Sequence, residues 1–154
     1  MPGFGFWRRW LQLVAMVMCL FGVAMALLNQ TAVFSAFNLQ VDWVFWPGGS
    51  PGAAASRFQG WAYGVWGATV AGFGALVWVM VAYGFRQRQG WVRNGLAACV
   101  GLWFLLDTGL SAVYQVWFNV VFNCVILLLV VVPLWMIWPA FDSVEQAATP
   151  PAES

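Results

Sequence analysis

Neither histidine nor lysine occurs in this chain, and only 7% of its residues are charged. Without histidine, the commonest metal ligand, haem ligand and general base are all missing, so no catalytic residue, metal site or cofactor is expected. Without lysine, six arginines face five acids for a net charge of +1. That leaves no basic patch suited to releasing counterions from nucleic acid, which is not expected as a partner. Cysteine occurs three times, never as C-x-x-C. Cys19, Cys99 and Cys124 stand alone in separate apolar runs, where burial suppresses the reactive thiolate. Proton-coupled four-span exporters need an acid deep in a helix, and the first, second and fourth apolar runs contain none. These absences argue against an enzyme.

What the chain has in abundance is hydrophobic sequence, at 63% of residues. Four runs, 10–28, 60–85, 92–110 and 112–138, each cover roughly 28 Å or more as helix, close to the ~30 Å hydrocarbon core of a bilayer. The expected fold is all-α: a transmembrane four-helix bundle over residues 1–139, with a long interfacial outer loop between the first two helices. Residues 140–154 are polar and Pro-containing and read as a disordered tail. Arg8-Arg9 ahead of the first run also fits a secretory signal, but the run is longer than a typical signal core.

Five of the six arginines, Arg8, Arg9, Arg86, Arg88 and Arg93, fall on one side of this arrangement, and Arg57 falls on the other. Because basic residues resist transfer, both termini are expected to be cytoplasmic. Arginine without lysine fits a GC-rich bacterial genome, which makes the inner membrane the expected location. Trp and Tyr residues gather near both presumed interfaces, as aromatic anchors do.

Two patterns within the spans carry more specific expectations. Gly60, Gly64, Ala68 and Gly72 recur every four residues, and small residues at that spacing let helix backbones approach closely in lipid. That face is expected at the bundle centre or at a homo-oligomer seam, with Gly67, Ala71 and Ala75 as a neighbouring row. Asp107, Ser111, Gln115, Asn119 and Asn123 are also four apart. A helix break at Gly109 would leave Ser111, Gln115, Asn119 and Asn123 as one slowly rotating polar strip. Unpaired amides are costly in hydrocarbon, so the strip faces other helices or a wet cavity. Asp107 and Arg57, both near the outer surface, are expected to pair.

The phrases Tyr63-Gly64-Val65-Trp66-Gly67-Ala68-Thr69, Trp103–Ser111 and Phe118-Asn119-Val120-Val121-Phe122-Asn123 resemble those of small uncharacterised bacterial four-span membrane proteins. A looser similarity to DoxX-like proteins rests on span count. The resemblance implies the architecture and no catalytic residue. Two functions stay open: a non-enzymatic accessory or self-associating membrane component, or a binder or carrier of a small molecule or lipid. A closed bundle with Asn119 and Asn123 directly bonded, joining helices, favours the first. An outward-opening cavity lined by the strip favours the second.

Overall fold

The computed structural model describes residues 3–142, and these fold into helices without a strand. In chain order, α1 spans Phe4–Leu28, and a single 3-10 turn, Ala32–Phe34, leads into α2 at Ser35–Phe45. Helix α3 runs from Ala53 to Val79 and ends in a π turn at Met80–Gly84. Helix α4 spans Gly90–Val113, and α5 spans Trp117–Ile137, with helix resuming over 139–142. Four of these segments are long and apolar enough to cross a membrane: Phe4–Leu28, Ala53–Gly84, Gly90–Val113 and Trp117–Asp142. Their outward faces carry Leu20, Leu105, Val121 and Leu128, far more apolar surface than water would tolerate. This is the build of a multi-pass membrane protein.

The helices reach beyond the apolar runs for local reasons. Arg8 and Arg9 are good helix formers whose long side chains can carry their charge past the apolar surface, so α1 starts at Phe4. Pro51-Gly52 bars an earlier start to α3, and Ala53-Ala54-Ala55 then opens it. The segment expected to be a loop instead contains α2. The expected disordered tail also begins too early: Ala140 and Phe141 are buried in the core, and the rest of that tail from 143 on lies outside the described residues.

Helix α1 packs antiparallel against α3 along a seam of small residues. A Cβ on Gly67 would sit 2.5 Å from the Ala26 backbone nitrogen, and one on Gly74 would sit 2.6 Å from that of Cys19. Gly22 on α1 meets the Ala71 backbone in the same way. Gly64 lies a little further from Ala26, and Gly60 abuts the Gln30 side chain. The seam therefore follows 60, 64, 67, 71 and 74, in alternating steps of four and three. Gly72 has open space around it, and Ala68 is exposed. A strict four-residue step gains about 40° per turn, so by Gly72 the row has swung about 120° out of the interface. Alternating steps return nearly to the same face. Of the four residues in the expected row, only Gly60 and Gly64 belong to the seam.

Helix α5 contains Pro133, which removes the N–H that the Leu129 carbonyl would otherwise accept. Trp10 Nε1 on α1 donates to that carbonyl at 3.1 Å, so the indole replaces the missing helical bond. Below it, Val81, Phe85, Leu11, Leu96, Ile137 and Phe141 form the main core. Gly84 lets Val92 pack against the π turn, and Phe85 meets Phe141 edge-on at 5.1 Å. Arg93, only 5% exposed, is held in this end of the bundle by Asp142 at 2.6 Å. Its guanidinium lies over Trp138 at 4.1 Å, and its Nε donates to Asn94.

Candidate functional site

Helix α4 continues through Gly109 and stops only at Val113, so the expected break comes one turn later. Val116 N–H donates to the Ser111 carbonyl at 2.8 Å, and Gln115 N–H to that of Ala112 at 3.1 Å. These two bonds, around a left-handed Gln115 (φ 61°), close the helix in a Schellman turn. Gln115 is exposed and forms the pivot of a hairpin. Ser111 and Asn119 both lie four residues from it, and Asp107 and Asn123 both lie eight. The spacing that looked like one continuous strip therefore folds on itself and places 111 opposite 119 and 107 opposite 123.

Asp107 Oδ1 is the hub of the result. It accepts Asn119 Nδ2 at 2.8 Å, Asn123 Nδ2 at 2.9 Å and the Ser111 hydroxyl at 3.3 Å. Asn119 Nδ2 also donates to Ser111 Oγ at 2.8 Å, and Asn123 Nδ2 to Thr108 Oγ1 at 3.2 Å. Asn123 is 2% exposed and Asn119 8%. Three donors on a single oxygen suit a carboxylate, which only accepts. They leave Asp107 Oδ2, and likewise Asn119 Oδ1, without a hydrogen bond among the described residues. Asn119 and Asn123 of α5 thus both bond directly to Asp107 of α4, joining the two helices.

Beside this hub lies a cavity of about 530 Å³, within the range of small-molecule pockets. Asp107, Ser111 and Asn119 line one wall, and Trp103 and Leu106 of α4 continue it. Tyr63 and Trp66 of α3 and Phe118 of α5 form the sides. Helix α2 covers the cavity with Phe37, Val41 and Phe45. Phe37 stands edge-on to Tyr63 at 5.4 Å and to Phe118 at 5.5 Å, and Tyr63 tilts against Trp66 at 6.3 Å. Four rings on three helices thus run continuously around the opening. The mirror spacing about Gln115 was the available signal for the hub.

Polar contacts seat α2 on the bundle. Asn38 Nδ2 donates to the Asn29 carbonyl at 2.8 Å, and Gln59 Nε2 donates to Asp42 Oδ1 at 3.3 Å and to the Tyr63 hydroxyl at 3.2 Å. Asn29 in turn bonds the Met25 carbonyl and receives Gln30. Asn38 Oδ1 is buried without a partner among the described residues, which weakens the seat, since an orphaned acceptor costs about 1–3 kcal/mol.

The expected pair between Arg57 and Asp107 does not form. Asp107 is taken up by the amides, Arg57 is exposed, and the ion pair present among the described residues is Arg93–Asp142. No group of three or more Cys, Asp or Glu gathers among the described residues, and the three cysteines are unpaired. Compared with known proteins, the chain matches no family model, no curated protein and no solved structure, so its site is read from its own chemistry.

Proposed function

We propose that this chain is a bacterial inner-membrane protein, with both termini cytoplasmic, that binds or carries a small molecule or lipid in the cavity beneath α2, without catalysis. The observation carrying this reading is the cavity itself. Asp107 lines its wall, and one oxygen of that side chain accepts no hydrogen bond among the described residues. An acid inside a span is expensive and marks a site by default, and here it borders space of ligand size. The arginine distribution supports the orientation, which makes the α2 end the outer one.

The test is a ligand screen by thermal unfolding in a neutral detergent, repeated on Asn119→Leu and Asn123→Leu. Asn119 lines the cavity and Asn123 does not. Intact Asn119→Leu bundles that no longer bind support a pocket. Misassembly of both variants, with no ligand shifting the native protein, assigns the amides to helix association alone.

A second reading, self-association, is favoured by the part of the small-residue row that the α1–α3 seam does not use. Ala68, Gly72 and Ala75 are exposed, and Gly72 has nothing near it. Gly72→Leu leaves a monomer intact and breaks a dimer formed there, which sedimentation in detergent reads directly.

A further inference from the structure

Resting on the cavity reading above, we infer that the molecule held beneath α2 is an organic cation, an ammonium group carried on an apolar body. Three features of the site converge on this chemistry. First, the polar wall has spent its donors and kept acceptors. Both N–H bonds of Asn119 and the Ser111 proton point at Asp107 or Ser111, while Asp107 Oδ2 and Asn119 Oδ1 accept no hydrogen bond among the described residues. A ligand that completes the wall must bring donors or positive charge. Second, the remaining walls are aromatic. Phe37, Tyr63, Trp66, Trp103 and Phe118 present π faces or edges, and an aromatic box beside a carboxylate is the arrangement that recognises ammonium groups.

Third, the charge at this end is unbalanced. The α2 end carries Asp42 and Asp107 against Arg57 alone, an excess of one negative charge, while the other five arginines lie at the opposite end. The Asp107 carboxylate has no cation within ion-pair distance among the described residues, whereas Asp142 has Arg93. In a low-dielectric surround an unmatched carboxylate attracts a cation far more strongly than it would in water. The aromatic lid and the apolar residues Val41 and Leu106 supply room for the body behind the charge.

The experiment uses three probes with a common tail: hexyltrimethylammonium, hexanol and hexanoate. Each is titrated calorimetrically into the full chain in a nonionic detergent. The cation is expected to bind at least tenfold more tightly than hexanol, with no detectable binding of hexanoate. Asp107→Asn should erase the preference for the cation while leaving hexanol affinity unchanged. Trp66→Leu, which removes a ring and leaves the hub intact, should weaken the cation several-fold more than hexanol; it keeps the test decisive if Asp107→Asn does not fold. Equal binding of cation and hexanol, insensitive to both variants, overturns the cation inference and leaves the cavity reading standing. Tighter binding of hexanoate overturns it as well. Binding by none of the three probes overturns both.

Reconstitution separates the two sources of such a cation. A choline phospholipid bilayer that blocks hexyltrimethylammonium, where a phosphatidylglycerol bilayer does not, assigns the ammonium to a lipid headgroup. Equal binding in both assigns it to a free amine.

Discussion

Each end of the bundle holds one charged side chain within a span, Arg93 buried and Asp107 half-buried, and the two are treated in opposite ways. At the Arg93 end the guanidinium lies over the rings of Trp138 and Phe141 and pairs with Asp142. At the α2 end the Asp107 carboxylate is half satisfied by amides and borders a cavity of about 530 Å³. A buried charge that has its counter-ion and its packing is structural. A half-buried charge within a span that lacks both marks where something else fits. The same contrast holds for the elements around them. Phe85 and Phe141 are fully buried at the first end, whereas α2 is seated by a few polar bonds and carries an orphaned acceptor on Asn38. The α2 end is therefore expected to open at lower free energy than the rest.

The strongest way to break this comparison is to destroy the frame that both ends share. Gly67→Leu forces side-chain atoms into the α1 backbone and should cost more than about 3 kcal/mol, with loss of a monodisperse bundle on size exclusion. Gly72→Leu, one turn away on an open face, should stay within about 0.5 kcal/mol for the monomer. Next in size, Arg93→Ala should lower stability by about 2 kcal/mol through lost stacking and pairing, short of the full penalty for a broken buried pair because Asp142 is 45% exposed. Probe binding at the other end should be unchanged, and a matching loss of binding would show the two ends to be one unit.

A smaller effect tests how α5 is held to α1 between the two ends. Trp10→Phe should cost about 1 kcal/mol by orphaning the Leu129 carbonyl. In a Pro133→Ala background, where the helix again has the N–H, the same change should cost nearly nothing, as a thermal double-mutant cycle will show. The smallest effect belongs to Arg57→Gln. It should change stability by less than about 0.5 kcal/mol, since Arg57 makes no pair with Asp107. A larger loss would restore the ion pair and supply the missing cation from within the chain.

The four spans were legible because twenty or so apolar residues in a row have few other fates. The small-residue seam was only half legible. A fixed step of four split the seam between two rows, Gly60 and Gly64 in one and Gly67 and Ala71 in its neighbour, and missed Gly74, because two antiparallel helices keep contact through alternating steps. The polar residues of the hub were identified, but their arrangement was not, since nothing local marks Gln115 as a left-handed turn residue where glycine is usual. Helix α2 and its role as cover depend on Phe37 meeting Tyr63 and Phe118, contacts between residues far apart in sequence that no periodicity encodes.

The central claim, a ligand cavity at the α2 end open to the outside, is tested most directly by labelling one position within it. In a chain with Cys19, Cys99 and Cys124 replaced by alanine, Ser111→Cys should react in intact cells with a membrane-impermeant maleimide, and hexyltrimethylammonium should slow that reaction several-fold. Labelling only after the cells are permeabilised, or no labelling of a correctly folded protein under either condition, would contradict it.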